Sequence, residues 1–367
     1  MIDLRRDASC GKLPRELTHQ VMVGGVAVGG GAPVSVQSMC TTKTTDPAAT
    51  LAQIRELEAL GCEIIRVAIP AKDALDGFGE ICAESPLPVV ADIHFSHELA
   101  IEAARRGASA LRINPGNIGS FDKVDAVIDA AGEAGIPIRI GVNAGSLDRE
   151  IDAREDLTQP EKLVQSAVSF VRHFEERGFA DIVLSAKVHD VPATILTNRE
   201  LSRLLPHVPL HLGVTEAGTV RQGTVKNVSA LAVLLAEGIG DTMRLSLTAP
   251  PSEEVPVAWE LLQSLGMSRR SPELVSCPTC GRCQVNLIDI AGEVERRLSG
   301  VAAPISVAVM GCVVNGPGEA RGADIGVACG KGTGLLIAGG ETLRKVDEEH
   351  IVDELFAEIE RRFTPEG

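Results

Sequence analysis

The run Val89-Val90-Ala91-Asp92-Ile93-His94, the stretch Ser96–Arg106 and then Ala110-Leu111-Arg112-Ile113-Asn114 together decide the fold. The two outer pieces are short, rich in branched apolar residues, and end in polar groups. The piece between them is amphipathic and rich in Ala and Glu. That order predicts a strand, a crossover helix and a parallel strand. Asp92, His94, Arg112 and Asn114 then stand at strand ends, where parallel (β/α)₈ barrels place their chemistry.

Working outward, the same unit repeats from about Val34 to Ser246. Strands are predicted at Val34–Gln37, Ile64–Ala68, Val89–Asp92, Ala110–Ile113, Ile138–Val142, Asp181–Ser185, Leu210–Val214 and Thr242–Leu247. Helical patterns at Asp46–Leu60, Ser96–Arg106, Phe121–Ala134, Pro160–Arg177, Asn198–Leu205 and Val225–Glu237 lie between them. Eight runs in this alternation predict a TIM (β/α)₈ barrel. A doubly wound open sheet would carry a glycine-rich fingerprint after its first strand. Here Gly24-Gly25-Val26-Ala27-Val28-Gly29-Gly30-Gly31-Ala32-Pro33 precedes that strand and reads as a turn.

Composition agrees with a covered parallel sheet. Hydrophobic residues make up 44% of the 367, but aromatics only 2%, with no Tyr, so the core must be built from Ala, Val, Leu and Ile. A formal net charge of −15 argues against nucleic acid as the main partner, because phosphate neutralisation needs surplus Lys and Arg. Any anionic ligand must be held by a local basic cluster. The N-terminus is charged throughout and no run has the length of a membrane span, so neither export nor a membrane anchor is expected. Nine cysteines in such a chain point to reduced thiols and a cytoplasmic location.

A local basic cluster is what the strand ends supply. Strand one runs into Gln37-Ser38-Met39, strand two holds Arg66, and strand five carries Arg139 and Asn143. Strand six leads to Lys187, strand seven opens on His211 and ends in Thr215-Glu216, and strand eight holds Arg244 and Ser246. Guanidiniums crowded on one rim repel unless an anion or carboxylates sit among them. Ion pairs to Asp and Glu within the barrel are the structural alternative.

After Leu247 the breaker stretch Thr248-Ala249-Pro250-Pro251-Ser252-Glu253-Glu254-Val255-Pro256 ends the barrel pattern. The expected partition is a barrel domain over 1–255, a linker region over 256–270 with a helix from about Val257 to Leu265, and a small α/β domain over 271–367. In the last, strands are predicted at Leu274–Ser276, Ile305–Val309, Asp324–Val327 and Gly334–Ala338, with helices at Leu287–Leu298 and Val346–Phe363.

Cys277-Pro278-Thr279-Cys280-Gly281-Arg282-Cys283 sets three thiols at two-residue spacing, and Cys312 follows. Such spacing lets two thiolates of one turn reach the same metal centre, with a distant cysteine closing it. Both an iron–sulfur cluster and structural zinc fit, and an all-thiolate site would take Cys283 as its fourth ligand. Cys62, Cys82 and Cys329 read as packing residues and Cys10 as part of an irregular N-terminus, while Cys40 could face the pocket.

Several runs carry a family resemblance. Val36-Gln37-Ser38-Met39, Ala91-Asp92-Ile93-His94-Phe95, Leu111–Gly119, Arg139–Ser146, Gly238–Thr242, Cys277–Cys280 and Gly311–Glu319 resemble the bacterial 4-hydroxy-3-methylbut-2-enyl diphosphate synthases in their two-domain form. The resemblance implies reductive conversion of 2-C-methyl-D-erythritol 2,4-cyclodiphosphate to 4-hydroxy-3-methylbut-2-enyl diphosphate in the methylerythritol phosphate route to isoprenoids. It implies a [4Fe–4S] cluster held by Cys277, Cys280, Cys312 and Glu319, which moves the fourth ligand from Cys283 to Glu319. It also implies that Arg66, Arg112, Asn114, Arg139, Asn143, Lys187, Arg244, Ser246 and His94 bind the substrate. Glu216 and Asp92 would orient substrate groups, Asn315 would approach from the cluster side, and Glu319, Asn315, Glu216 and Asp92 would take part in catalysis. A flavodoxin or ferredoxin donor and a head-to-tail homodimer are implied as well. Two other readings of the residues stay open here: a non-catalytic iron–sulfur sensor binding a phosphate metabolite, and a zinc-stabilised phosphate-sugar aldolase or isomerase with Lys187 as Schiff base.

Overall fold

The computed structural model describes residues 13–147 and 149–363; Cys10 and the charged start of the chain lie outside them. The chain divides into two compact units between Met267 and Ser268.

The first unit opens with a hairpin, β1 (Val21–Val23) and β2 (Val26–Val28), paired antiparallel. Val26–Val28 was expected as turn. It forms a strand because Val21, Val23 and Val28 pack with Ile64, Val90, Ala110 and Val183, which lie near the N-terminal ends of the barrel strands. The hairpin plugs the barrel floor. Eight parallel strands follow: β3 (Ser35–Met39), β4 (Ile64–Ala68), β5 (Val89–Ile93), β6 (Ala110–Ile113), β7 (Ile138–Asn143), β8 (Ile182–Lys187), β9 (His211–Leu212) and β10 (Thr242–Met243). They form one sheet in the order β8-β7-β6-β5-β4-β3-β10-β9, and a parallel bridge between Leu184 and Leu210 joins its two edges. The sheet is a (β/α)₈ barrel.

The intervening helices are α1 (Pro47–Ala59), α2 (Leu75–Glu84), α3 (His97–Arg105), the short α4 (Pro115–Ile118), α5 (Phe121–Ala134), the short α6 (Arg149–Asp152), α7 (Gln159–Glu176), α8 (Val191–Leu204) and α9 (Val220–Ala236). Their starts are chemically marked. The Asp46, Ser96 and Asp190 side chains accept from the amides of Ala49, Leu99 and Ala193, and Pro occupies the first turn of α1 and α8. That cap starts α8 at Val191, seven residues before the expected Asn198. α10 (Glu254–Ser264) occupies much of the stretch expected as linker. It belongs to the barrel because Val255, Ala258, Leu261 and Leu262 are buried in the barrel core and Trp259 donates to Gly61 O at 3.0 Å.

The second unit is a five-stranded sheet of β11 (Glu273–Ser276), β12 (Ser306–Met310), β13 (Ile325–Gly330), β14 (Thr333–Ala338) and β15 (Glu341–Asp347), in that order, with α11 (Leu287–Leu298), the short α12 (Gly316–Ala320) and α13 (Ile351–Phe363). The first three strands are parallel and the last two pairings antiparallel. Period-two alternation gives the sheet two apolar faces. Val307, Val309, Ile325, Val327 and Leu336 pack with α11 and α13, while Ala308, Met310, Ala328 and Ile337 pack with Ala320 of α12. The charged run from Val346 was expected to be helical at once. Val346 and Asp347 instead close β15, and the helix begins at Ile351. Among the described residues no helix is long and apolar enough to cross a membrane.

Candidate active site

Parallel pairing puts three polar side chains in register on neighbouring strands: Asp92 lies opposite Arg112 and Arg112 opposite Arg139. Asp92 is 1% exposed and is the hub of the group. Arg112 Nη1 donates to its Oδ1 at 3.1 Å, while Arg66 Nε and His94 Nε2 lie 3.6 and 3.3 Å from its Oδ2. Burial alone would push the Asp92 carboxyl up, yet Arg66, His94 and Arg112 together hold it well below the usual carboxylate range.

A second carboxylate holds the other side of the mouth. Glu254, at the start of α10, is buried and accepts from Arg244 through Nε and Nη2, both at 3.2 Å, and from Leu247 N at 3.0 Å. The Met39 sulfur lies beside Arg66 Nη2 at 2.7 Å and Arg244 Nη1 at 3.9 Å. Glu254 was missed because it sits in a Pro-rich breaker run. Nothing in that run marks it as a partner of an arginine ten residues earlier.

Arg139 was expected at the rim. It is the second residue of β7 and lies deeper, buried, with Nη1 donating to Gln37 Oε1 of β3 at 2.6 Å. Its Nε has no partner. Under it, a cavity of about 20 Å³ is lined by Arg139, His211, Thr242 and the hairpin valines Val23 and Val28. That is room for about one water. His211 is fully buried with neither ring nitrogen hydrogen-bonded, and burial, Arg139 and Lys187 hold its pKa well below that of an ordinary histidine.

The remaining predicted residues are placed as follows. Lys187 ends β8, level with Asn143 at the end of β7, and is buried. The Asn143 amide, with its oxygen toward Arg112, accepts from Nη2 at 3.2 Å. Asn114 is fully buried, and its Oδ1 caps α4 by accepting from Gly116 N at 3.0 Å. Arg244 and Ser246 follow the two paired residues of β10, and the Ser246 carbonyl accepts from Asn227 at 3.2 Å. Glu216 is exposed and holds a left-handed backbone, φ 51°. A non-glycine residue there is uncommon and accompanies functional loops. Cys40 is buried in the apolar barrel core, where burial and Cys62 push its thiol up to about 12, so it is packing and does not face the pocket.

In the second unit the thiols gather at one end of the sheet. Ser276 of β11 pairs with Val309 of β12, so Cys277 and Cys312 leave neighbouring strands at the same edge. Gly311 N donates to Cys277 Sγ at 3.2 Å, and Gln284 N to Gly311 O at 3.1 Å, folding the Cys277–Gln284 loop onto the end of β12. Cys280 is exposed and its carbonyl accepts from Cys283 N. The backbone amides of Asn315, Val314 and Gly316 and the Arg282 side chain lower the Cys312 pKa. A thiol met by amide donors favours its thiolate, the form that binds metal. Among the described residues no three His, Cys, Asp or Glu side chains converge on one metal ion. Cys277, Cys280 and Cys312 are soft thiol donors, a set whose chemistry fits an iron–sulfur group. Glu319 and Asn315 are exposed on and beside α12, seven and three residues beyond Cys312.

The fold and site define a barrel enzyme with a basic interior, joined to an α/β domain that presents thiols at one end of its sheet. The chain belongs to the GcpE family: the model of the GcpE TIM-barrel domain matches residues 18–259 and that of the GcpE protein C-terminal domain residues 273–361. Curated relatives named 4-hydroxy-3-methylbut-2-en-1-yl diphosphate synthase (flavodoxin) are similar over nearly the whole chain. One from Geobacter sulfurreducens is 53% identical, covering 94% of this chain and 97% of its own. One from Mycobacterium tuberculosis is 53% identical over 95% of this chain and 90% of its own, and one from Bifidobacterium longum 52% over 93% and 85%.

Proposed function

We propose that this chain converts 2-C-methyl-D-erythritol 2,4-cyclodiphosphate to 4-hydroxy-3-methylbut-2-enyl diphosphate by ring opening and loss of a hydroxyl with uptake of two electrons. The product is the one its relatives are named for, and the step lies in the methylerythritol phosphate route to isoprenoids. The observation that carries the reading is the charge imbalance inside the barrel. Among the described residues, the guanidiniums of Arg66, Arg112, Arg139 and Arg244 share the barrel interior with two buried carboxylates, Asp92 and Glu254. A bound diphosphate supplies the missing negative charge.

In this reading Arg66, Arg112 and Arg244 clamp the phosphates, each held in place by a carboxylate behind it. Arg139 and Lys187 add charge from below and from β8, while Asn114, Asn143, Ser246 and His94 complete the pocket wall. Fixed donors of this kind position the ring and neutralise the oxygen that leaves. Glu216 and Asp92 orient substrate and guanidiniums. Cys277, Cys280, Cys312 and Glu319 would hold a [4Fe–4S] cluster, with Asn315 beside it. When bound, that group supplies electrons singly and an iron position that the harder, more exchangeable carboxylate can vacate. A flavodoxin or ferredoxin as electron donor, a head-to-tail homodimer and a cytoplasmic location belong to the same proposal. Family membership supports this reading over a redox sensor or a zinc-stabilised aldolase.

Anaerobically purified protein, given the cyclodiphosphate and a strong one-electron reductant, is expected to form the diphosphate product and to contain iron and sulfide. Stoichiometric zinc without iron, or no turnover by iron-loaded protein, overturns the reading.

A further inference from the structure

Lys187 differs from every other cation in the barrel. Arg66 and Arg112 share Asp92, Arg244 has Glu254, and Arg139 donates to Gln37. Lys187, 92% buried by its 8% exposure, has no hydrogen bond or ion pair among the described residues. Its amine end lies beside Gly213, the residue after β9, since a Cβ added there would stand 2.8 Å from Nζ. Arg66, Arg112, Arg139 and Arg244 share the barrel interior with it, and none of these guanidiniums can give up a proton. With two carboxylates against four fixed positive charges, the empty barrel already carries an excess of positive charge. A fifth buried cation without a partner is strongly disfavoured, and an amine can shed its proton where a guanidinium cannot.

Resting on the reading that the barrel takes the cyclodiphosphate, we propose that substrate binding is coupled to proton uptake at Lys187: the amine is neutral in the empty site and becomes an ammonium when the dianion enters. The proton comes from solvent, the nitrogen lone pair accepts it, and no other bond changes. Burial and then Arg139, Arg66, Arg244 and Arg112 push the lysine pKa well below its ordinary value, in the same direction as the geometry. The other polar groups of the barrel interior come from every strand but its own, and from α10. Gln37 comes from β3, Arg66 from β4, Asp92 from β5, Arg112 from β6 and Arg139 from β7. His211 comes from β9, Arg244 follows β10, and Glu254 comes from α10. Two imidazoles belong to the same interior: His211 lies on the floor beneath Arg139, and His94 stands at the mouth, 3.3 Å from Asp92. Lys187 is the group level with the mouth residue Asn143.

The cyclodiphosphate is a suitable probe because each of its phosphates carries one ester and the shared anhydride, keeps a single strongly acidic oxygen, and exchanges no proton near neutral pH. Its binding to the anaerobic, cluster-containing full chain is measured by calorimetry in several phosphate-free buffers of different ionisation enthalpy. The slope of observed heat against buffer enthalpy counts protons. About one proton per site is expected for the wild type near pH 7.5. Lys187→Arg, whose charge is fixed, is expected to bind with a slope near zero, and His211→Gln to keep the wild-type slope. A flat wild-type slope, or one undiminished in Lys187→Arg, overturns the proposal while leaving the function standing. Absence of any cyclodiphosphate binding overturns the function and this proposal together.

Discussion

Arg139 and Gln37 meet across the full width of the barrel: Nη1 of the arginine in β7 donates to Oε1 of the glutamine in β3 at 2.6 Å, between strands four places apart in a ring of eight. Among the described residues no carboxylate pairs with that guanidinium. Gln37→Leu is expected to leave a buried charge unmet and cost about 2–3 kcal/mol in the ligand-free protein, the range for a hydrogen bond to a charged group. The cyclodiphosphate, bringing acceptors of its own, is expected to narrow the deficit. Urea unfolding with and without the compound checks this. A deficit that stays the same when the site is filled would show that Arg139 does not sense the anion.

Gly141 clears the space that Arg112 occupies. A Cβ there would lie 2.7 Å from Arg112 Nε and 2.9 Å from Nη2, so Gly141→Ala has to move the guanidinium off Asp92. The protein is expected to fold, losing about 1–3 kcal/mol as overpacked sites do. Cyclodiphosphate affinity is expected to fall at least about tenfold, each decade being about 1.4 kcal/mol. The double variant Gly141→Ala with Arg112→Ala should bind no worse than Arg112→Ala alone, since both changes act on one contact. Additive losses in calorimetric titration would place the effect elsewhere.

How much of this was legible depended on whether burial or contact set the feature. Ile64–Ala68, Ala110–Ile113 and the α5 and α11 boundaries were read correctly because their apolar patterns carry the whole signal. β15 was not, since Glu341–Asp347 has only Leu343 and Val346 as apolar anchors and becomes a strand by pairing with β14. Within the site, strand-end placement found the arginines but not their depth. Arg139 sits low because it is second in its strand, and its partner is on the far wall. Glu254 came to light only once α10 was seen to fold back on the barrel.

Asp241 ties the start of the described chain to the barrel. Its buried carboxyl accepts from Leu210 N at 2.7 Å and from the Thr18 hydroxyl at 3.0 Å, next to Arg15, and burial pushes it up to about 6 from 3.8. A folded-state pKa above the unfolded one stabilises fully below pH 3.8, and that stability is lost as pH rises through about 6. Two units correspond to about 3 kcal/mol. Asp241→Asn removes the titration, so the wild type should lose up to about 3 kcal/mol relative to the variant between about pH 4 and pH 7.5. Urea midpoints across that range test it, and a pH-independent difference would contradict it.

The thiol edge allows a test that separates packing from ligation. A Cβ on Gly311 would strike Cys283 Sγ at 2.7 Å and Leu287 Cδ2 at 3.0 Å, while Gly311 N holds Cys277 Sγ. Cys283 also donates to the Val285 carbonyl at 3.3 Å, as a packed thiol would. Gly311→Ala should therefore shift the end of β12 and weaken iron retention, and Cys283→Ala added to it should restore part of the loss by opening the space the new methyl needs. Cys283→Ser alone should keep the full iron and sulfide content and the visible spectrum of the anaerobic protein, whereas Cys277→Ser and Cys312→Ser should lose most of it. If Cys283 were the fourth ligand the order would reverse: Cys283→Ser would lose iron, and Cys283→Ala would deepen the Gly311→Ala defect instead of relieving it. Iron analysis of the variants decides between the two, because relief of a steric contact and removal of a ligand act on the bound iron with opposite sign.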